Sequence, residues 1–320
     1  YDYGVQMYEE RHRILESRVQ EWYADPARER QDRLFEDFVK LRVFTEKDVY
    51  VDLMLFHILR WKDSPWKNDL ICDSCSNILE ELLADRWQKV LTCRVEKNVW
   101  LMILYGREAA GEEAELEPGL TDFWRFASNF YGVEAAVYWD SRKGQPLYKK
   151  LLAVRRQKDN NVSAKAGVMC SCGETIQNAQ VEEPDYACWE NLLGQGMGMI
   201  VYEEAMAYLR LLEKERCLDR AALEKFYRSF ERSLTIVERR NAVSWEEIVP
   251  DRALRQRFAR ADQSLTEMEA FLKAVTSFFS EEIRDIGRVQ ETVNKIKEYI
   301  HYNLDKDIKR EDVASSVFMN

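Results

Sequence analysis

Few side chains in this sequence are placed to do chemistry. The chain has three histidines among 320 residues, and two close cysteine pairs, Cys72-x-x-Cys75 and Cys170-x-Cys172. Thiolates at such spacings hold zinc when further cysteines or histidines complete the ligand set. No histidine lies near either pair in the sequence, so we interpret both pairs as reduced, partly buried thiols. We therefore predict no metal site and no cofactor.

Candidates for acid–base or nucleophilic catalysis are also few. Neither a nucleotide-binding glycine loop nor a serine or cysteine nucleophile signature occurs in the sequence. The acids Glu203, Glu204 and Glu213 have the spacing of a solvated helix face. The turn at Lys97-Asn98 joins two strand-like segments, which is a hairpin signal rather than a catalytic one. The prediction is that the chain is not an enzyme.

The composition is that of an acidic, globular, multidomain chain. Hydrophobic residues make up 46%, the formal net charge is -10, and the length allows two or three domains. An acidic chain is poorly suited to grip nucleic acid by itself, because duplex binding requires a concentrated basic surface. The sequence has no signal peptide and no apolar run of membrane-spanning length, which predicts a cytoplasmic protein without a membrane partner.

Residues 1–42 are predicted to form a helical connector with a heptad seam. Its apolar and aromatic residues recur at alternating steps of four and three. We predict that this seam is a parallel homodimer contact, in which His12 faces its symmetry mate. The alternative is a helix that packs against its own domain. The seam consists of Val5, Tyr8, His12, Leu15, Val19 and Trp22.

The rest of the chain divides into a mixed region and a helical region. Residues 43–180 alternate in the order strand, helix, hairpin, helix, strand, helix, strand, which predicts an α+β domain with an antiparallel sheet covered by helices. Residues 181–287 are predicted to be a helical linker region. Its apolar stripe from Leu254 to Ile286 either packs inside its own bundle or pairs with a second chain.

The mixed region resembles the degenerate GGDEF-like domain of YesN-type response regulators. That resemblance implies a ferredoxin-like, palm-type sheet. An active diguanylate cyclase carries Gly-Gly-Asp/Glu-Glu-Phe at the hairpin turn, where this chain has Val95-Glu96-Lys97-Asn98-Val99. On an approximate alignment, His57 and Leu59 stand where active relatives carry metal-binding aspartates. The resemblance therefore implies the fold without the cyclase activity.

Residues 288–320 resemble the start of an AraC-type DNA-binding domain. The matching stretch is VNKIKEYIHYNLDKDIKREDVASSVFMN. The resemblance implies a truncated helix-turn-helix domain, in which a recognition helix would follow Asn320. Lys309 and Arg310 are candidate contacts to DNA phosphate, and Lys309 stands where the family usually has a helix-capping Ser or Thr. The sequence is therefore expected to be a piece of a longer protein.

These resemblances predict the central signal-relay and dimerisation region of a bacterial AraC-family transcriptional regulator. The expected regulator is a two-component response regulator. Its expected partners are a second copy of the chain, promoter DNA in the full-length protein, and a sensor histidine kinase that acts through a receiver domain. The alternatives are a ligand-sensing module and a diguanylate cyclase-like nucleotide enzyme.

Overall fold

The computed structural model describes residues 2–43, 50–62, 68–83, 89–106, 116–142, 144–171 and 181–302. It has a five-stranded sheet and many helices, as predicted for an α+β chain. The chain divides into two compact units, Tyr1–Thr175 and Ile176–Asn320. Within the described stretches, no helix is both long and apolar enough to cross a membrane.

The first unit is built from strands and helices in the predicted order. Its strands are β1 (Tyr50–Trp61), β2 (Lys89–Glu96), β3 (Val99–Gly106), β4 (Val133–Trp139) and β5 (Gly167–Cys170). Its helices are α1 (Asp2–Ala24), α2 (Arg28–Lys40), α3 (Asn68–Leu82), α4 (Leu116–Tyr131) and α5 (Leu147–Asn160).

The sheet has the strand order β2-β3-β1-β4-β5. The β2, β3, β1 and β4 neighbours are antiparallel, as predicted, whereas β5 runs parallel to β4. The parallel pair follows from the crossover through α5, because a parallel neighbour needs a long connection rather than a tight turn.

Both faces of the sheet are buried, which explains why its strands are so apolar. Successive side chains of a strand point to opposite faces. Met54 and Phe56 pack beneath α3 and α4, whereas Leu53 and Leu55 pack beneath α1, α2 and α5. A central strand with two covered faces therefore lacks the polar alternation of a half-exposed strand. The segment VWLMILYG of β3 is the clearest example.

Helix α1 forms part of the core of the first unit. Leu15, Val19 and Trp22 are 6%, 0% and 1% exposed, and they pack in one cluster with Leu34 and Phe38 of α2 and with the sheet. The predicted dimer seam is therefore wrong for Leu15, Val19 and Trp22. A face that is buried against its own sheet cannot at the same time be the contact surface for a second chain.

The burial of the first half of the predicted seam is not described. The backbone of α1 is helical from Asp2, but the side chains of Val5, Tyr8 and His12 lie outside the described residues. A dimer contact through α1 thus stays a prediction for these three residues alone.

The described part of the second unit is helical, as predicted. Its elements are α6 (Tyr186–Gly194), α7 (Gly198–Lys214), α8 (Arg220–Asn241), α9 (Trp245–Ile248), α10 (Arg252–Phe258), a 3-10 turn (Ala261–Gln263) and α11 (Leu265–Tyr302). Helix α11 continues across the predicted boundary between residues 287 and 288. Lys309 and Arg310 lie outside the described residues.

The stripe from Leu254 to Ile286 does not lie on one helix. Helix α10 ends at Phe258, and the 3-10 turn separates it from α11. Leu254 at the start of the stripe is 37% exposed, whereas Phe258 and Leu272 are 3% and 0% exposed, because the stripe lines the interior of the unit from Phe258 to Phe279. This part of the stripe therefore packs inside its own bundle, which was one of the two predicted alternatives.

Helices α7 and α11 are in close contact at Gly198. A Cβ atom at this position would lie 2.0 Å from the Thr276 carbonyl oxygen and 2.8 Å from Ser280 Oγ. Ser280 Oγ accepts a hydrogen bond from the Met199 N–H and donates one to the Thr276 carbonyl, both at 3.0 Å. The crossing therefore requires a residue without a side chain.

Candidate functional site

Polar side chains from several elements of the first unit meet around the β2–β3 turn. The two-residue turn at Lys97-Asn98 is confirmed, and Asn98 has a φ of 63°, which asparagine tolerates better than most residues. The Asn98 carbonyl accepts the Ile58 N–H at 2.9 Å, and its side-chain oxygen accepts Trp61 Nε1–H at 3.3 Å. These bonds hold the turn against the end of β1.

Glu96, the last residue of β2, is bonded to two other elements. Tyr23 Oη of α1 donates to Glu96 Oε1 at 2.6 Å. Lys158 Nζ of α5 donates to both carboxylate oxygens, each at 2.7 Å. The Lys158 side chain is 10% exposed and that of Glu96 is 41% exposed, so solvent screens this ion pair only in part.

Arg155 of α5 also binds the carboxyl end of α1. Its Nη1 donates to the Tyr23 carbonyl at 2.7 Å, and its guanidinium lies 4.8 Å from the centroid of the Tyr23 ring. A cation at the carboxyl end of a helix interacts favourably with the helix dipole, and one over an aromatic face is attracted by the ring. We refer to Tyr23, Glu96, Arg155 and Lys158 together as the hairpin clamp.

Within the hairpin clamp, Glu96 is held in its charged form by direct contacts. Burial opposes ionisation of Glu96, but hydrogen bonds from Lys158 and Tyr23 outweigh it and hold the carboxyl pKa below its ordinary value. Burial and the hydrogen bond to Glu96 raise the pKa of Tyr23 well above its ordinary range. Tyr23 is thus a permanent donor and Glu96 a permanent acceptor at neutral pH.

The charges of Lys158 and Glu96 affect the pKa of His57 on β1. Burial, followed by the positive charge of Lys158, lowers the pKa of His57 to about 4. Its ring centroid is 6.4 Å from that of Tyr138, and among the described residues Nδ1 has no hydrogen-bond partner. The imidazole is neutral at pH 7, so His57 offers no negative charge to a hard cation such as Mg²⁺.

The described residues include no group of three or more His, Cys, Asp or Glu that could hold a metal ion. Cys75 is buried, with its sulfur 3.4 Å from Tyr131 Oη. The Cys170 thiol donates to Ser141 Oγ at 3.2 Å. The side chains of Cys72 and Cys172 lie outside the described residues, so the spacing of the two pairs in space is not defined.

A second ion pair, which the sequence did not suggest, anchors α5 to β1. Lys150 Nζ lies 2.7 Å from Asp52 Oδ2, with the two side chains 4% and 11% exposed. The other Asp52 oxygen accepts the Leu53 N–H at 2.8 Å. Two features of the sequence could have indicated this ion pair. Asp52 is a lone acid in an apolar strand, and Lys150 directly precedes Leu151, which is buried in the core beneath α5.

The comparisons with known proteins found no matching protein-family model, no matching curated protein and no matching solved structure. What can be inferred about function therefore depends on this chain's own geometry. The structure brings Tyr23, Glu96 and Lys158 together from three elements.

Proposed function

We propose that this chain is the central relay and dimerisation region of a bacterial AraC-family transcriptional regulator, with α1 as its input. The strand order β2-β3-β1-β4, with α3 between β1 and β2 and α4 between β3 and β4, supports the fold part of the proposal. It is the order of a ferredoxin-like split β-α-β sheet, which the resemblance to degenerate GGDEF-like domains implies.

The hairpin clamp is the observation that carries the relay proposal. The last turns of α1 are held to β2 and α5 by Tyr23 and Arg155, and Gln20 Nε2 also donates to the Arg94 carbonyl of β2 at 2.8 Å. The same turns place Val19 and Trp22 in the core. A displacement of α1 would consequently move the hairpin and α5 with it, because packed elements shift as bodies rather than deform continuously.

The relay can be tested in a longer polypeptide that joins residues 1–320 to a receiver domain and a complete DNA-binding domain. Residues 1–320 alone should bind DNA weakly and without sequence preference, whereas the longer chain should bind its operator about a thousandfold more tightly than random DNA.

Tyr23→Phe should leave operator binding intact but weaken its dependence on receiver phosphorylation, measured by DNA titration with and without phosphorylation. Tyr50→Phe provides a control outside the hairpin clamp. A specific, salt-resistant footprint from residues 1–320 would contradict the proposal, as would unchanged coupling in Tyr23→Phe.

The dimer contact is expected to lie in the N-terminal half of α1. Val5→Asp together with Tyr8→Asp should weaken dimerisation at least about tenfold, because two large apolar side chains per chain contribute about 1.5–3 kcal/mol each when buried. Sedimentation of the wild type and the double variant measures the effect. Arg13→Asp, at an exposed position of the same helix, is the control for charge alone. Equal dimer affinity in all three proteins would show that α1 is not the dimer contact.

A diguanylate cyclase-like enzyme, the alternative function, would convert GTP into a cyclic dinucleotide. Incubation with GTP and Mg²⁺ is expected to give no cyclic dinucleotide, because Glu96 is engaged by Lys158 and Tyr23 and because His57 is neutral. Chromatography of the nucleotides after incubation checks this, with a known diguanylate cyclase as the positive control. Turnover that disappears in Glu96→Gln would establish the enzyme instead.

A further inference from the structure

A cleft in the second unit lies between the end of α10, the 3-10 turn and the first turn of α11. Its volume is about 900 Å³, within the range of sites that take small molecules. Six of its seven lining residues are polar or charged. The lining consists of Gln256, Arg257, Ala259, Arg260, Gln263, Ser264 and Glu267.

Buried residues hold the backbone segments that form this cleft in place. Phe258 and Ala261 are 3% and 0% exposed, and the Phe258 ring lies 5.7 Å from that of Phe271. Ser264 Oγ accepts the Glu267 N–H at 3.2 Å, which sets the start of α11. The backbone that carries the lining side chains is therefore held in place before a ligand binds.

The charges that line the cleft do not cancel. Arg257 is paired with Glu267 through two hydrogen bonds, so these two neutralise each other. Asp262, in the adjacent turn, is 3.7 Å from Arg220. Arg260 is exposed, and among the described residues no ion pair involves it. The cleft thus has one uncompensated guanidinium in a chain whose net charge is -10.

We propose that this cleft binds a small phosphate-bearing molecule, with Arg260 as the anchor. A guanidinium binds two oxygens of a phosphate in a planar fork, and its charge is opposite to that of the ligand. Gln256 and Gln263 place amide groups, which both donate and accept, at the same surface. They match the hydroxyl groups of a phosphorylated sugar. The site would give this chain a chemical input of its own, whether or not it is a transcriptional regulator.

The test uses the whole chain and inorganic phosphate, followed by a hexose phosphate, at constant ionic strength. Calorimetric titration should show saturable binding of phosphate and tighter binding of the hexose phosphate. Arg260→Gln should weaken both by about tenfold or more, as expected for the loss of the charge-assisted hydrogen bonds of the guanidinium. Arg239→Gln removes an exposed arginine from the end of α8, outside the cleft, and should bind like the wild type.

Three outcomes would overturn the proposal. They are no saturable binding, an equal loss in Arg239→Gln, and a response to duplex DNA with none to the hexose phosphate. A further variant, Gln263→Ala, separates the two ligands. It should weaken the hexose phosphate more than inorganic phosphate if the amides contact the sugar, and a loss equal for both would contradict their assigned role.

Discussion

Replacement of Gly198 by alanine is expected to destabilise the second unit by about 3 kcal/mol, at the upper end of the usual cost of overpacking. The added Cβ would meet the Thr276 carbonyl oxygen at 2.0 Å. That atom belongs to the backbone of α11, so no side-chain rotation can relieve the clash. The two helices must separate, and the bonds of Ser280 to Met199 and Thr276 must lengthen with them.

Amide hydrogen exchange of α7 and α11 measures the loss of stability in the second unit itself. A single unfolding midpoint would not, because the chain has two units that can unfold separately. Gly194→Ala is the matched control. Its Cβ would lie 3.8 Å from the Asn241 Nδ2 atom, an ordinary contact, and alanine favours helix more than glycine does. If both variants show the same protection, the α7–α11 crossing does not depend on Gly198.

Lys150→Met is expected to cost about 3 kcal/mol at neutral pH, because it leaves the Asp52 carboxylate buried without its partner. The pair is 2.7 Å apart and almost fully buried. Asp52→Asn combined with Lys150→Met should recover much of the loss, since no unpaired charge remains. Lys149→Met, at the exposed neighbouring position on α5, is the control and should change stability by less than about 0.5 kcal/mol.

The cost of Lys150→Met should also depend on pH. Burial raises the pKa of Asp52 in the folded protein, and Lys150 opposes that rise. Without Lys150 the folded-state pKa rises further above the unfolded value of about 3.9. The folded state then holds the proton more tightly than the unfolded state, so stability falls as pH increases through this window.

Urea unfolding at about pH 4 and about pH 7, with amide exchange protection of β1 and α5 as the readout for the first unit, tests the sign of this dependence. The variant should be close to the wild type at the lower pH and clearly less stable at the higher. A loss that is the same at both pH values would mean that missing packing by the lysine stem, rather than the unpaired carboxylate, is responsible.

The order of elements in the first unit could be predicted because its signals are local. The turn at Lys97-Asn98 and the apolar strands around it are determined by residues adjacent in sequence. The partner of a helix is not local. The spacing of Leu15, Val19 and Trp22 suits a second chain and a sheet equally well, since both present an apolar surface to one face of the helix. Only the packed structure distinguishes these two partners.

The candidate site was beyond sequence reasoning for a related reason. Tyr23 and Glu96 are 73 residues apart, and Glu96 and Lys158 are 62 apart. No periodicity links positions at such separations. His57 was singled out from the sequence only by the resemblance to GGDEF-like domains, and its proximity to Lys158 and Glu96 could not be read from that alignment.

The joining of α1 to α5 also fixes the order in which the first unit can form during synthesis. Arg155 binds a carbonyl 132 residues earlier in the chain. At 5–20 residues per second, roughly ten seconds pass between the emergence of Tyr23 and that of Arg155. Throughout this interval the apolar face of α1 lacks part of its final cover. We therefore expect co-translational chaperones to bind first to the segment that carries Leu15, Val19 and Trp22.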